Sequence, residues 1–181
     1  MLEIISAGFG GQGVLTAGLI LAKVSMDNGK NVTWIPSYGS EMRGGTANCN
    51  VKVSDNEIAS PFVKNIDVLI AMNGPAIDKF ESSMKEGGTI IVNSSMVKDR
   101  TFREDLNIVE IPANDIARDL ENPRGANIAI LGGLVKVTNV LEKDAFADGI
   151  DKFFADKGKV NELNRLCFEK GYDYVSEKEA K

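Results

Sequence analysis

The chain has 181 residues, 43% of them hydrophobic, and a formal net charge of −5 at pH 7. That length suits one well-packed domain over 1–181, and the acidic balance, with no run of Lys and Arg longer than a pair, argues against a nucleic-acid surface. Histidine is absent, which removes His-based acid–base chemistry, Ser-His and Cys-His nucleophile pairs and most catalytic metal sites.

In chain order, the apolar run Leu2 to Ala7 reads as a strand, and it opens onto Gly8-Phe9-Gly10-Gly11-Gln12-Gly13, with glycines at the three positions of GxGxxG. Val14 to Asn28 then reads as a helix closed by Gly29. Strand, glycine turn and helix start form the one context in which this motif has mechanical meaning. Small residues let the backbone turn tightly, and unpaired amides at the helix N-terminus face any approaching anion. Residues 4–22 carry no charge, but five glycines in that window and Glu3 ahead of it are incompatible with a membrane span or a basic-led signal sequence. A cytoplasmic protein is expected.

A second strand is predicted over Asn31 to Ile35, followed by a glycine-rich loop from Ser37 to Gly45. Thr46 to Val53 alternates polar and apolar residues, which predicts a half-exposed strand. Ser54-Asp55-Asn56 predicts a turn into a short strand near Glu57 to Ala59, making a hairpin inserted into the sheet. Val68 to Met72 predicts a buried central strand, Asn73-Gly74-Pro75 the start of an amphipathic helix to about Met84, and Thr89 to Asn93 and Ile108 to Ile111 two more strands. Asn114 to Leu120 predicts a short helix. Asn127 to Leu141 predicts a long one, with Ile128, Leu131, Val135 and Leu141 near one face and Gly132-Gly133 allowing close approach of a neighbour. Lys143 to Tyr174 reads as two helices separated by Lys157-Gly158-Lys159, before a charged tail, Ser176 to Lys181, expected to fray. The expected fold class is α/β: a Rossmann-like, mostly parallel sheet flanked by helices, with an inserted β-hairpin and C-terminal helices.

Dinucleotide folds place an acidic residue at the end of the second strand to hold the ribose hydroxyls. Here that strand runs into Trp34-Ile35-Pro36-Ser37, and Glu41 already lies within the loop. A Walker loop fails as well, because Val14 stands where the lysine belongs. Cys49 and Cys167 form no CxxC pair, so neither a zinc ribbon nor a cysteine-ligated cluster can be built from this chain, and both are expected as buried or half-buried thiols. The second constellation is Pro36 to Asn48. It leaves the carboxyl end of the second strand and combines the aromatic hydroxyl of Tyr38, the guanidinium fork of Arg43 and three glycines that permit close backbone approach. Its plain alternative is a solvated loop with a Glu41–Arg43 ion pair. Asn73 and Asn93, each ending a predicted strand, read as turn formers, Arg124 near a helix start either as facing a partner or, more commonly for such a residue, as a solvated arginine, and Trp34 as a core or interface anchor.

On GFGGQGV at Gly8 to Val14 and PSYGSEMRGGTANCNV at Pro36 to Val51, the chain resembles the gamma subunits of 2-oxoacid:ferredoxin oxidoreductases, the family that acts on pyruvate, 2-oxoglutarate and 2-oxoisovalerate. The length, the element order and Arg124-Gly125-Ala126-Asn127 with Leu131-Gly132-Gly133 agree with that resemblance. It implies a chain without catalytic, metal-binding or cofactor-binding residues of its own. It also implies alpha, beta and ferredoxin-like delta subunits as partners; these hold thiamine diphosphate, Mg and iron–sulfur clusters, with coenzyme A as substrate and ferredoxin as electron acceptor. Interface or coenzyme A-proximal candidates are Gly8, Gly10, Gly11, Gln12, Gly13, Tyr38, Gly39, Ser40, Glu41, Arg43, Gly44, Gly45 and Asn48. The alternative from the residues alone is a freestanding Rossmann-type nucleotide- or coenzyme A-binding protein.

Overall fold

The structure, a computed structural model, describes residues 1–38 and 45–179. Its elements run β1 (Leu2–Phe9), α1 (Val14–Asp27), β2 (Asn31–Tyr38), β3 (Thr46–Ser54), β4 (Ile66–Ala71), α2 (Gly74–Phe80), β5 (Met84–Asn93), β6 (Asn107–Ile111), α3 (Ala113–Asp119), α4 (Ala126–Thr138), α5 (Lys143–Ala155) and α6 (Glu162–Glu179). The strands form one sheet in the order β2-β3-β1-β4-β5-β6. β1, β4, β5 and β6 pair in parallel, while β3 lies antiparallel between β1 and β2. The predicted α/β class with a mostly parallel sheet is what the chain forms.

The hairpin is not the predicted one. Residues 57–59 form no strand, and β3 turns back on β2, with Trp34 opposite Val51 and Tyr38 opposite Ala47. Nor is β3 half exposed: eight of its nine positions are intermediate or buried. Its polar face is covered by the segment after Asp55, whose backbone amides bond polar side chains of the sheet. Val63 N donates to Asn50 Oδ1 at 3.3 Å, and Lys64 N to Glu3 Oε2 at 2.9 Å. Alternation in the sequence here marks a polar seam between layers rather than a water-facing side.

On one face of the sheet, Ile4, Val51, Val68, Ile70 and Ile91 meet α1, α4, α5 and α6. On the other, Ile5, Leu69, Ile90 and Val92 meet Ala76 and Ile77 of α2, Val97 and Leu106. α4 is the central helix: every residue from Ala126 to Val135 is buried, so the expected one-sided stripe is an all-round apolar helix. Gly132 and Gly133 do admit a neighbour, as expected, since a Cβ on Gly132 would lie 2.1 Å from the Phe168 carbonyl oxygen of α6. α2 stops at Phe80 and a 3-10 turn, Glu81–Ser83, leads directly into β5, so Met84 opens a strand instead of closing a helix. The tail expected to fray continues α6 to Glu179. Both cysteines are buried free thiols, as expected. No helix among the described residues is long and apolar enough to cross a membrane.

Candidate functional site

The glycine run occupies the carboxyl end of β1. To one side of β1 lie β3 and β2, and to the other β4, β5 and β6. This reversal of direction is where open α/β sheets place their ligands. Gly8 is glycine because of crowding: a Cβ there would meet Gln12 Oε1 at 2.7 Å and Met72 Cβ at 2.9 Å. Gly13, the N-cap of α1, sits in the left-handed region at φ 74°, and a Cβ there would lie 2.6 Å from Asn127 Nδ2.

Gln12 is the staple of the turn. Its Oε1 accepts from Phe9 N at 2.7 Å and from Asn73 Nδ2 at 2.9 Å, while its Nε2 donates to the Met72 carbonyl at 3.2 Å. Asn73 in turn caps α2, its Oδ1 accepting from Ala76 N at 3.0 Å, so the predicted turn former is a helix cap that also fixes the glycine turn. Asn127 Nδ2 donates to the Gly13 carbonyl at 3.0 Å across 114 residues, tying the start of α4 to the start of α1. Gly10 N donates to the Gly45 carbonyl at 2.9 Å, tying the turn to the near end of the β2–β3 loop. The two sequence constellations are therefore neighbours. Asn48 is buried in β3 opposite Ala7. Gly39, Ser40, Glu41, Arg43 and Gly44, with the side chain of Tyr38, lie outside the described residues.

Beside the turn opens a cleft of about 520 Å³. Its walls come from Gly11 to Gly13, from Met72 at the end of β4, from the first residues of α4 and from Asn161 and Asn164 at the start of α6. None of the described residues lining it is Asp or Glu, whereas Arg124 and Lys159 both line it, exposed and without an ion-pair partner among the described residues. Sequence reasoning set Arg124 aside as solvated and took Lys159 for a spacer. No local pattern brings either to the glycine turn, because both belong to helix junctions distant in the chain.

Thiol and metal chemistry find little support in the side chains present. Burial pushes the Cys49 thiol up to about 11, against smaller lowering contributions from the Trp34 side chain and the backbone at Ser6 and Gly18, which leaves it protonated at neutral pH. Burial also raises the Cys167 thiol, against a contact from Asn122. Among the described residues no three His, Cys, Asp or Glu side chains gather as a metal site would require.

A family profile described as "Pyruvate ferredoxin/flavodoxin oxidoreductase" matches residues 3–174. The chain is 38% identical to ketoisovalerate oxidoreductase subunit VorA of Methanothermobacter marburgensis, over 93% of this chain and 35% of that protein. It thus spans about a third of the length of that relative. It is 35% identical to 2-oxoglutarate synthase subunit KorC of Methanocaldococcus jannaschii, over 97% of this chain and 94% of that one. Among solved structures, the keto/oxoacid ferredoxin oxidoreductase gamma subunit from Geobacter sulfurreducens superposes with a TM-score of 0.82 at 30% identity, covering 98% of this chain and 99% of that chain.

Proposed function

The chain belongs to the pyruvate ferredoxin/flavodoxin oxidoreductase family, and on that premise we propose that it serves as the gamma subunit of a multi-subunit, cytoplasmic 2-oxoacid:ferredoxin oxidoreductase. The assembly oxidatively decarboxylates a 2-oxoacid, transfers the acyl group to coenzyme A and passes two electrons to ferredoxin. The observation that carries this reading is the end-to-end correspondence with a gamma subunit, 98% of one chain on 99% of the other. Thiamine diphosphate, Mg and the clusters belong to alpha, beta and delta partners, and no redox step is assigned to the residues of this chain.

Its own part is positional. The β2–β3 loop, anchored to the glycine turn through the Gly10–Gly45 bond, docks on the alpha/beta pair together with the amides around Gly10 to Gly13 and helps close the coenzyme A entrance. Arg43 supplies the guanidinium fork that suits a phosphate or a partner carboxylate.

Two experiments test this. Affinity capture of the tagged chain from its native source under anaerobic conditions is expected to bring down alpha- and beta-type partners with thiamine, iron and coenzyme A-dependent 2-oxoacid oxidation. Recovery of the chain alone, inactive with every 2-oxoacid, sinks the assignment. In the holoenzyme, Arg43→Ala is expected to raise the coenzyme A KM about tenfold with kcat nearly retained, the loss of one charge-assisted pair. An unchanged KM removes the ligand role of Arg43.

A further inference from the structure

We infer that the free edge of β2 pairs with the β2 of a second copy of this chain, antiparallel about a two-fold axis at Ile35, so that two sheets join into one. This pairing stands independently of the subunit assignment, because association is measured on the chain itself.

The open edge has a definite hydrogen-bonding pattern. β2 is an outermost strand and pairs with β3 alone among the described strands. Gly10 N donates to the Gly45 carbonyl, a bond that continues the β1–β3 register, so odd-numbered residues of β3 bond β1 and even-numbered ones bond β2. Through the β2–β3 register, Asn31, Thr33, Ile35 and Ser37 therefore spend their amides and carbonyls on β3. Val32, Trp34, Pro36 and Tyr38 turn theirs outward, and no backbone bond among the described residues reaches them. Pro36, which has no N–H, stands at an outward position, where it costs the β3 ladder nothing.

Sheets protect such edges with charge. At the opposite edge β6 carries Glu110, which Lys178 of α6 approaches at 3.9 Å. β2 has eight residues and no charged one, and the flanking charges Lys30 and Asp55 are paired with each other at 2.6 Å. Apolar surface borders the edge on both faces. On one, Val32 and Trp34 pack with α1. Gly18 of α1 faces the sheet and Val24 faces Gly149 of α5, which puts Leu15, Leu19 and Met26 on the flank away from α5, above the β2 edge; Met26 is 54% exposed. On the other face, Ile35 is half-buried and belongs to neither apolar cluster. Pro61, whose carbonyl accepts from Thr33 Oγ1 at 3.4 Å, brings Phe62, 60% exposed, to that same face.

A second copy is the occupant because the strand complements itself. With the two-fold axis at Ile35, antiparallel pairing sets Val32 opposite Tyr38, Thr33 opposite Ser37 and Trp34 opposite Pro36 of the second copy. Every outward amide then finds a carbonyl: Val32 N that of Tyr38, Trp34 N that of Pro36, and Tyr38 N that of Val32. Ile35 meets its own counterpart in a non-hydrogen-bonded pair, Thr33 and Ser37 bring two hydroxyls together, and no like charges meet. Moving the axis to Trp34 would oppose Tyr38 to Lys30, outside the strand, and moving it to Pro36 would oppose two residues that lack an N–H. The contact is isologous, so it closes as a dimer instead of propagating. Because the two strands run in opposite senses, their carboxyl ends, where the loop proposed to meet the alpha/beta pair begins, point to opposite ends of the joint sheet.

Sedimentation equilibrium of the purified full chain is expected to give twice the 19.5 kDa of one chain. Val32→Pro removes an outward amide and leaves the β3 ladder whole, so the dimer dissociation constant should rise at least about tenfold while the far-UV spectrum holds. Met26→Lys/Phe62→Lys, at two exposed positions, reads the same interface without touching the backbone: it brings charges into an apolar joint and should weaken the dimer to a similar extent. Under diamide, Ile35→Cys should cross-link to its counterpart, because a non-hydrogen-bonded pair holds its Cα atoms about 4.5 Å apart, within disulfide reach, and Thr33→Cys should not. The native thiols, Cys49 and Cys167, are buried and do not compete. A dimer that neither the proline nor the double lysine variant weakens, or cross-linking at Thr33 in place of Ile35, overturns the proposal. So does a chain that stays monomeric across the measured concentrations, and if that chain still recovers alpha- and beta-type partners in the anaerobic capture, the subunit reading stands without it.

Discussion

A single methyl group at Gly132 should loosen the helical layer that carries half of the cleft. In Gly132→Ala the new Cβ would meet the Phe168 carbonyl oxygen at 2.1 Å and the Tyr172 amide nitrogen at 2.6 Å, and the reciprocal site, Gly171, places a Cβ 1.9 Å from the Ala129 carbonyl oxygen. These obstacles are backbone atoms of a facing helix, which no side-chain rotation can relieve. Alanine gains about 1 kcal/mol of helix propensity over glycine, whereas overpacking a close-packed interior costs about 1–3 kcal/mol and more where backbones collide. The overlap wins. We expect a net loss of about 3 kcal/mol in urea denaturation and a Tm lower by roughly 10 °C. Gly74→Ala, at a position with open space around it, is the matched control and should be neutral. A Gly132→Ala protein as stable as the parent would mean that α4 and α6 do not pack backbone to backbone.

The second large effect concerns the buried ion pair beneath the segment that crosses β3. Lys52 Nζ lies 3.2 Å from Glu3 Oε1, and the two residues face each other across β1 and β3. They are 4% and 7% exposed, which puts the pair in the regime where removing one partner strands a charge. Lys52→Met is expected to cost about 3 kcal/mol at pH 7, the lower end of the usual range, because Glu3 keeps the Lys64 and Asn65 amides as donors. Glu3→Leu/Lys52→Met should recover most of that loss.

The pH dependence distinguishes this from simple packing. Burial on its own pushes the Glu3 carboxyl up, but the Lys64 amide, the Lys52 ammonium and the Asn65 amide together outweigh it and hold the carboxyl below the ordinary glutamate range. A carboxyl lowered by folding contributes stability above its unfolded value, about 4.3, and that contribution disappears as pH falls through the lower folded value. The gap between parent and Lys52→Met should therefore be largest near neutrality and shrink as pH falls through the lowered folded value of Glu3, below which the carboxyl is protonated in both. A gap independent of pH between 3 and 7 would assign the loss to packing around the lysine stem instead of the charge.

Much of the architecture was legible before any coordinates. The strand, glycine turn and α1 fall within a residue or two of their predicted bounds, because β1 and α1 are long, apolar and separated by residues with one conformational use. α5 and α6 were legible for the same reason, with Gly158 between them at φ 65°. The misjudged elements are those whose surroundings differ from their pattern. β3 alternates like a surface strand, yet Asn50 and Lys52 are consumed by a crossing segment and a buried carboxylate. α4 carries a helical stripe, yet it is buried on every side because α3, α5 and α6 enclose what the sheet does not.

The site divides in the same way. By itself the sequence determined the glycine turn, the two glycines that let α6 approach α4 and the family to which the chain belongs, since a motif, a steric requirement and a resemblance are all written in contiguous residues. Tertiary structure alone decided that β3 reverses between β1 and β2, that Gln12 and Asn73 together hold the turn, and that Asn127 closes on Gly13 from 114 residues away. It also decided that Arg124, Lys159 and Asn164 face one cleft beside that turn. Strand pairing and the convergence of polar side chains depend on which faces meet once the apolar layers close, and no local period in the chain encodes that meeting.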